Sequence, residues 1–405
     1  MSGQDRPDDR SDDRSPAQLP GDFFSRETIS GALLLAAAAI ALAWANSPWS
    51  ATYETLFGTP AGIRVGGAVF ERDLRFWIND GLMAIFFFTI GLEIKRELSG
   101  GQLGTIRRAA LPALAALGGM IVPAMFYLAI NAGTAAARGW GIPMATDIAF
   151  AVGVLALIGP RVPPALRLTL LALAVIDDLG AVVVIAVVFS SGFGAAGLAL
   201  AAAGLIAIQS MKSLRVRSPW AYLPPALATW AGAYAMGVHP TLAGVAVGLV
   251  TPVRSGPGDA PDRDSPLEGL EHAFQPWVSF VIMPLFALAN AGVALGGVTL
   301  GGPPGRVFAG VALGLVLGKP IGVIGFSWIA VRLRAAHLPP GVSWRDMLVL
   351  GLIAGTGFTM SLFMTALALE PGPSTEAARL AILAASAIAG IAGIAVGRLV
   401  LKRAS

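Results

Sequence analysis

Three carboxylates and one ammonium group in this chain lie inside long apolar runs. Asp177 and Asp178 are the only charged residues of the run 168–189, and Lys319 is the only one of the run 307–331. At a rise of about 1.5 Å per residue, each run can cross a hydrocarbon core about 30 Å thick with its charge near mid-depth. The chemistry open to such groups is ion pairing, proton exchange or cation binding.

The third carboxylate, Asp147, lies in the run 139–160. Each buried charge costs roughly 2.5–3.5 kcal/mol on membrane-insertion scales, so the four together cost on the order of 10 kcal/mol. A chain retains such groups only if they pair with one another, face water or carry ions. We therefore take Asp147, Asp177, Asp178 and Lys319 as the main candidate functional residues.

The composition is that of a polytopic membrane protein. Of the 405 residues, 55% are hydrophobic and 13% are charged, which excludes an ordinary soluble domain. The net charge of +4 comes from Lys and Arg scattered at helix ends, so nucleic acid is not expected as a partner. The chain has no cysteine and only three histidines, so disulfides and thiolate sites are excluded and no resident metal or other cofactor is expected.

The fold class predicted is an all-α polytopic membrane protein. Residues 1–25 are rich in Asp, Arg, Ser and Pro and are predicted to form a disordered cytoplasmic tail, followed by one transmembrane domain over 26–405. Within that domain, Ile63 to Phe70 has strand character and is predicted to form a small extracytoplasmic β-hairpin, because Gly66-Gly67 can form its turn. About 12 transmembrane helices are predicted, near 28–45, 76–94, 109–130, 142–158, 166–189, 194–210, 219–236, 239–251, 274–296, 307–330, 346–369 and 377–399.

The distribution of Lys and Arg predicts the orientation of the chain. With the N-terminus inside, 21 of the 28 basic residues fall in inside segments and 6 in outside segments, while Lys319 lies in mid-membrane. Positive residues are enriched on the cytoplasmic side of membrane proteins. Both termini are therefore predicted to be cytoplasmic.

Two of the spans are interrupted by helix-breaking residues. Gly and Pro precede Asp147 in the segment 139–147, and three glycines occur in 351–359. These are the fourth and eleventh spans, and paired interrupted helices at corresponding positions indicate an inverted-repeat transporter with its site at mid-membrane. Unwound backbone there can offer carbonyl oxygens to a cation, and Asp147 and Lys319 can neutralise the helix-end dipoles. The alternative is that Gly and Pro only permit kinks.

The carboxylates suit a hard cation such as sodium, which prefers oxygen ligands from Asp, Thr and backbone carbonyls. A buried carboxylate resists ionisation because of desolvation, and a neighbouring carboxylate strengthens that resistance. Such a site can hold either a proton or a cation, and competition combined with alternating access is exchange. Because adjacent helix residues point about 100° apart, Asp177 and Asp178 are not expected to have identical roles.

Seven motifs, in order along the chain, resemble the signature segments of the NhaA-type sodium/proton antiporters. The resemblance extends from about Arg26 to Arg398. The motifs are 77–83 (WINDGLM), 91–98 (GLEIKREL), 145–151 (ATDIAFA), 176–180 (IDDLG), 284–292 (PLFALANAG), 317–320 (LGKP) and 357–361 (GFTMS).

This resemblance implies a twelve-helix secondary active transporter of the bacterial inner membrane, not an enzyme. It implies inverted repeats, export of sodium and lithium in electrogenic, pH-dependent exchange for external protons, and a homodimer with contacts through the 61–73 hairpin. It places sodium on Asp178, the principal ligand, and on Asp177, which also pairs with Lys319. Asp147 and the neighbouring Thr146 fall on the unwound helix.

A second group of residues is a candidate for pH response or for an ion funnel. Its assignment is less specific, because charges near span ends are commonly exposed or snorkel to the interface. Pro240 stands where the family usually has a small residue and Gln275 where it often has histidine, which leaves the pH profile open. The group is Asp80, Glu93, Glu97, His239, Glu271 and His272.

Several alternatives stay open at this stage. The pair of Asp177 and Lys319 could be purely structural, and Asp147 could serve only the helix-end dipoles. An intramembrane protease would use aspartates on separate helices, whereas two of these are adjacent and accompanied by a lysine; the GxGD pattern at 256–259 lies in a polar loop. A sodium-coupled symporter on a related fold is distinguished only by the motifs.

Overall fold

The computed structural model describes most of the chain and is mainly helical, with one two-stranded antiparallel sheet. The predicted tail up to residue 20 and the GxGD pattern at 256–259 lie outside the described residues. Those described are 21–65, 68–100, 106–190, 192, 194–214, 216, 218–251 and 266–401.

The secondary structure of this part of the chain consists of α-helices, two β-strands, three 3₁₀ segments and three π-helical segments. The α-helices are α1 (Gly21–Ala45), α2 (Ser50–Phe57), α3 (Leu74–Phe76), α4 (Met83–Gly100), α5 (Ile106–Asn131), α6 (Ile148–Ile158), α7 (Pro164–Val188), α8 (Ala195–Ser213), α9 (Leu223–Met236), α10 (Thr241–Val250), α11 (Pro266–Trp277), α12 (Met283–Asn290), α13 (Gly302–Leu313), α14 (Lys319–Arg332), α15 (Trp344–Ala354), α16 (Phe358–Ala368) and α17 (Pro373–Val400). The 3₁₀ segments are Ala135–Met144, Pro219–Tyr222 and Leu295–Gly297, and the strands are β1 (Pro60–Val65) and β2 (Ala68–Asp73).

Of the 3₁₀ segments, Ala135–Met144 is the longest, with ten residues.

Eight segments of the described chain are long and apolar enough to cross a membrane, and there are up to ten crossings if each of two bent helix pairs is one span. The two further spans predicted at 219–236 and 239–251 correspond to α9 and α10. With ten residues, α10 is about 15 Å long, half the thickness of a hydrocarbon core. The polytopic helical class is confirmed, and the count of twelve stays a prediction.

The first helix begins earlier than predicted. The sequence analysis assigned residues up to 25 to a tail, whereas α1 already begins at Gly21. Pro20 precedes it in the sequence, and proline is favoured where helices start. Phe23 and Phe24 then give this end of α1 the apolar character that the rest of the tail lacks.

The two predicted interruptions are confirmed. The 3₁₀ segment Ala135–Met144 and α6 meet at a bend of 42°, and α15 and α16 meet at a bend of 46°. Each break coincides with the Gly- or Pro-containing stretch that the sequence indicates. The carboxylate of Asp147 therefore lies at the start of a half-helix rather than in the middle of a continuous one.

Three spans contain a π-helical segment that was not predicted. These segments are Trp77–Leu82, Val278–Ile282 and Gly314–Gly318. Glycine or proline within or next to each one weakens the regular backbone hydrogen bonding, and π segments are frequent at functional sites. The first segment contains Asp80, and the third ends directly before Lys319.

The predicted β-hairpin is present. Strands β1 and β2 pair antiparallel from Pro60 opposite Asp73 to Val65 opposite Ala68. The two residues between the strands lie outside the described part of the chain. The paired region, residues 60–73, agrees with the predicted 61–73.

A cluster of five aromatic rings fixes the hairpin to α9. Trp230 stacks on Trp77, with ring centroids 6.3 Å apart, and on Tyr234, at 6.2 Å. Arg72 of the hairpin donates to the hydroxyl of Tyr234 and lies over the ring of Phe70, 5.3 Å from its centroid. We call this group the hairpin aromatic cluster; its rings are Phe70, Phe76, Trp77, Trp230 and Tyr234.

Close packing of α14 against α5 buries the lysine. Gly118 and Gly322 face each other across this contact, and a Cβ atom on either would overlap the carbonyl oxygen of the other. Small residues allow such close approach of helices in lipid. As a result, Lys319 at the start of α14 is 0% exposed.

Candidate ion site at a helix crossing

Two short connections meet inside the membrane domain. Residues 145–147 join the 3₁₀ segment to α6, and residues 355–357 join α15 to α16. The backbone N–H of Asp147 donates to the carbonyl oxygen of Thr356 at 2.7 Å, so the connections are in direct contact. We call them, with the four helix ends that they join, the helix crossing.

Asp147 caps both helices that begin at the crossing. Its Oδ1 accepts from the backbone N–H of Phe150 in α6 at 2.9 Å. Its Oδ2 accepts from the backbone N–H of Thr359 in α16 at 3.0 Å and from the Thr359 hydroxyl at 2.5 Å. Helix N-termini carry partial positive charge, so one carboxylate counters two of them. This geometry supports the dipole role, and direct contact of Asp147 with a cation stays a prediction.

Lys319 connects the crossing to α7. Its Nζ donates to Asp177 Oδ2 and to Thr146 Oγ1, both at 2.7 Å. The Thr146 hydroxyl in turn donates to the carbonyl oxygen of Ala354, the last residue of α15, at 3.0 Å. The lysine therefore has the aspartate partner that the sequence analysis expected, together with a threonine partner that it did not assign.

Asp177 and Asp178 each have a buried carboxylate oxygen without a hydrogen-bond partner among the described residues. The two residues are 1% and 2% exposed, and the unpartnered atom is Oδ1 in both. Such atoms are costly to bury. Asp178 also lies within electrostatic range of Glu93 and Asp147 as well as Lys319. Burial, unpartnered oxygens and excess negative charge make this a place where a proton or a cation is stabilised.

Thr359 and two serines add hydroxyl groups to the crossing. The hydroxyl of Ser361 in α16 donates to the carbonyl oxygen of Ile142 at 2.8 Å, and the hydroxyl oxygen of Ser386 in α17 accepts from the backbone N–H of Phe358 at 3.1 Å. Thr359 and Ser361 belong to the motif 357–361, but the sequence alone did not indicate a role for either residue. It gave no signal for Ser386, which stands alone in an alanine-rich helix.

Two residues of the second group form a pair near α9 and α10. His239 Nε2 lies 3.2 Å from Asp80 Oδ1, with the two side chains 16% and 14% exposed. The other ring nitrogen of His239 lies 2.9 Å from Thr241 Oγ1, and Trp230 donates to the backbone carbonyl of Asp80 at 2.9 Å. The structure thus joins two candidates that lie on different spans.

The other four candidates of the second group lie near the end of α4 and in α11. Arg96 forms an ion pair with Glu271 and lies 3.7 Å from Glu97. Glu93 and His272 are within electrostatic range of Glu271. These residues form a charged cluster apart from the helix crossing, and the link between the two regions is the electrostatic interaction of Glu93 with Asp178.

The donor set around Asp177 and Asp178 suits an alkali cation better than a transition metal. In the described part of the chain, no three His, Cys, Asp or Glu side chains are grouped as metal ligands. Carboxylate oxygens, threonine hydroxyls and the carbonyl oxygens of interrupted helices are instead available at the crossing. Hard cations prefer such oxygen ligands.

The fold and this site define a multi-pass membrane protein of the transporter class, with buried charges at interrupted helices. The chain matches the family described as Na+/H+ antiporter 1 over residues 21–396, and it belongs to that family. It is therefore a transporter rather than an enzyme.

Curated relatives match nearly the whole chain. The Na(+)/H(+) antiporter NhaA 2 of Myxococcus xanthus is 50% identical over 416 residues, which covers 94% of this chain and 88% of the relative. The Na(+)/H(+) antiporter NhaA of Rhodospirillum rubrum is 47% identical, over 95% of this chain and 98% of the relative. The NhaA antiporter of Acidovorax sp. is 48% identical, over 94% and 91%.

Proposed function

We propose that this chain is a secondary active Na+/H+ antiporter that exports cytoplasmic sodium, and also lithium, in electrogenic exchange for external protons. The observation that carries the proposal is the pair of adjacent buried carboxylates, each with one oxygen that has no partner in the described part of the chain, beside a fully buried lysine. Family membership supports the two transported ions. No further cofactor takes part in the proposed exchange.

Asp178 is the principal sodium ligand in this proposal, and Asp177 is the second carboxylate. The Oδ1 atoms of both residues are buried and unpartnered among the described residues, so each can accept a proton or contribute to a cation. Sodium bound there would exchange the water of its hydration shell for protein oxygens. The nearby negative charge of Glu93 and Asp147 adds to the attraction.

Competition between sodium and protons drives the exchange. A protonated Asp178 is neutral and cannot attract sodium strongly, whereas an ionised Asp178 attracts it. When the site faces the outside, a proton displaces the sodium ion; when it faces the cytoplasm, sodium displaces the proton. Alternating access then converts this competition into coupled transport in opposite directions.

Lys319 links the protonation of Asp177 to the crossing. Its ammonium binds both Asp177 and Thr146. When Asp177 accepts a proton, the ion pair loses its attraction and the ammonium is held by Thr146 alone. Lys319 thereby takes part in coupling as well as stabilising the buried carboxylate.

Asp147 and Thr146 give the crossing its electrostatic balance. Asp147 caps two helix N-termini, and the hydroxyl of Thr146 caps the end of α15. We therefore assign both residues to the ion site through its electrostatics.

Twelve spans arranged as inverted repeats are the architecture that we infer. The interrupted helices are the fourth and eleventh predicted spans. The π segments Trp77–Leu82 and Val278–Ile282 fall in the second and ninth. In both pairs, the second member lies seven spans after the first, which supports an internal repeat. The Lys and Arg distribution supports cytoplasmic termini, and the bacterial inner membrane is the proposed location.

The hairpin at 61–73 is the proposed contact between two copies of the chain. Among the described residues, β1 pairs only with β2 in a two-stranded sheet, and strand edges can pair with another chain. The hairpin aromatic cluster fixes it to its own protomer. A homodimer is therefore part of the proposed function.

The pH response is assigned to the second group of residues. Asp80 and His239 form one pair, and Glu93, Glu97, Glu271 and His272 belong to the charged cluster around Arg96. In the charged cluster, Glu93 interacts electrostatically with Asp178, so a change in the charge of Glu93 alters the field at Asp178.

Sodium addition to everted membrane vesicles tests this function directly. Respiration acidifies the vesicles and quenches a pH-sensitive dye. We expect sodium or lithium to restore the fluorescence, potassium to have little effect, and vesicles without the protein to show no response. Sodium-dependent quenching without proton efflux, or solute uptake driven by sodium, would contradict antiport.

A further inference from the structure

Ser386 is a buried polar residue in a helix that otherwise packs through small apolar groups. It is 2% exposed and lies midway along the unbroken helix α17. Besides Thr375 near the start of the helix, it is the only polar residue among those that α17 buries. Its neighbours on this face of the helix, at i−4, i+3 and i+4, are Ile382, Ala389 and Gly390, and all three are buried.

The hydroxyl oxygen of Ser386 accepts a hydrogen bond from the first residue of α16. The backbone nitrogen of Phe358 lies 3.1 Å from Ser386 Oγ, although the two residues belong to different helices. The first backbone N–H groups of a helix have no partner within that helix. In a membrane there is no bulk water to supply one, so Ser386 satisfies a donor that would otherwise be costly to bury.

Two different acceptors share the N-terminus of α16. Neutral Ser386 accepts from Phe358, while the carboxylate of Asp147 accepts twice from Thr359. Without the serine hydroxyl, the Phe358 N–H would lose its acceptor at the helix end where Asp147 binds Thr359. Ser386 and Asp147 thus satisfy consecutive N–H groups in the first turn of α16.

Helix α17 also contacts the other half-helix that Asp147 caps. Gly390 lies beside the ring of Phe150, where an added Cβ would be 3.2 Å from the ring. Phe150 in turn packs against Phe358, with ring centroids 5.6 Å apart. One helix thus sets the position of the first turns of both α6 and α16.

We propose that Ser386 is a positioning residue for ion exchange. By binding the Phe358 N–H, it fixes the first turn of α16 and preserves the contact of Thr359 with Asp147. This inference rests on the proposed role of the helix crossing in antiport. It assigns to α17 a function that neither the motifs nor the charged residues indicate.

Substitution of Ser386 in the full-length protein, reconstituted in liposomes, tests the inference. We expect S386A to raise the apparent KM for sodium about 3- to 10-fold, the effect of one lost hydrogen bond, while the maximal rate changes by less than about twofold. The pH profile of exchange should shift as well. S386T retains the hydroxyl and should restore both properties.

Ser327 provides a matched control. It is 0% exposed and donates only to the carbonyl oxygen of Val323 in its own helix, at 2.7 Å. S327A should therefore keep the wild-type KM and pH profile. An S386A protein that matches S327A in both measurements, or that loses thermal stability alone, would overturn the positioning role.

Two further outcomes keep the test decisive. If S386A does not accumulate, S386C supplies a weaker acceptor, and a wild-type KM and pH profile in that variant would refute the inference. If the wild-type protein itself shows no sodium-driven proton movement, the proposed function fails. An active wild type with an unchanged S386A refutes only the role of Ser386.

Discussion

The helix crossing and the hairpin aromatic cluster both join distant segments, but with opposite chemistry. At the crossing, Lys319, Asp177 and Asp147 are buried charges among hydroxyl groups and backbone ends. In the hairpin aromatic cluster, stacked and edge-to-face rings surround one arginine. The arrangement of the first region depends on protonation and on bound cations, whereas the stability of the second depends on packing.

The difference teaches where this protein can change state. Aromatic pairs add about 0.5–1.5 kcal/mol each beyond their burial, and none of these rings needs to change charge. In α7, which Lys319 connects to the crossing, Asp177 and Asp178 instead have carboxylate oxygens without a hydrogen-bond partner among the described residues, so the most stable arrangement there differs with its occupant. We expect substitutions at the crossing to alter transport and substitutions in the cluster to alter stability.

The largest expected effect is that of Asp178→Asn. The substitution keeps the shape of the side chain and removes the anion for which sodium and protons compete. We expect folded protein without sodium-driven proton movement, and the same or nearly the same result for Asp177→Asn. Exchange by the purified variants in proteoliposomes is the measurement.

Asp346→Asn is the control for removal of a buried carboxylate. Asp346 is 8% exposed and lies at the start of α15, where it accepts from the backbone N–H of Ser343 at 2.6 Å. It takes no part in the crossing, so its variant should still exchange ions. Normal exchange by Asp178→Asn would remove Asp178 from the mechanism.

Lys319→Ala is expected to have the next largest effect, because it combines both kinds of consequence. It leaves the buried Asp177 carboxylate without its ion-pair partner, which should cost on the order of 3 kcal/mol of stability. Exchange driven by membrane potential should also be impaired, while sodium binding survives. Melting in detergent and voltage-driven exchange in liposomes measure the two parts.

The result for Lys319 separates a structural role from a role in coupling. A lower melting temperature with unchanged voltage dependence would leave only the structural role. Unchanged melting together with unchanged voltage dependence would exclude both. Lys319→Arg preserves the charge and should retain more stability than the alanine variant.

Trp230→Ala is expected to have a smaller effect, on stability alone. The indole stacks on two other rings, and its removal should cost on the order of 1–3 kcal/mol. The apparent KM for sodium should stay close to that of the wild type. Thermal melting and sodium-dependent exchange, measured on the same preparation, would show whether the two regions are separable.

A changed ion affinity in the Trp230→Ala variant would contradict the expectation that the hairpin aromatic cluster affects stability alone. Trp230 also donates to the backbone carbonyl of Asp80, which offers a path from the cluster to the second group of residues. Trp230→Phe keeps an aromatic ring without that donor. A purely structural cluster predicts an unchanged KM in both variants and a smaller loss of stability for Trp230→Phe than for Trp230→Ala.

The smallest expected effect is that of Glu54→Gln. Glu54 lies 3.2 Å from Arg75, and its side chain is 65% exposed. Exposed ion pairs contribute about 0.2–1 kcal/mol, and salt screens them further. We expect a slight decrease in melting temperature at low salt and none at high salt, with exchange unchanged. A large loss of exchange would place this surface pair in the transport mechanism.

Much of the fold was predictable because it follows from local patterns. Long apolar runs predicted the spans, and Gly and Pro near Asp147 predicted an interrupted helix. The π segments were not predictable, because glycine and proline beside them are also compatible with a straight or kinked α-helix. The early start of α1 was missed because Asp, Arg and Ser dominate the neighbouring sequence.

The candidate site was predictable in its charged members and not in its neutral ones. A charge in an apolar run differs from its neighbours, so Lys319 and Asp178 were identified as candidates from the residue types along each run. Ser386 carries no such signal, because a serine is inexpensive in a transmembrane helix. Its role becomes visible only when α17 is packed against the start of α16.

The sequence by itself determined that the chain crosses a membrane, where its helices break and which charges are buried. These properties depend on residue type and on neighbours along the chain. Only the tertiary structure decided the remaining contacts: Lys319 with Thr146, 173 residues apart, and Asp147 with Thr359, 212 residues apart. The physical reason is that such contacts depend on how closely helices approach, and that distance is set by the packing of residues such as Gly118 and Gly322 on different helices.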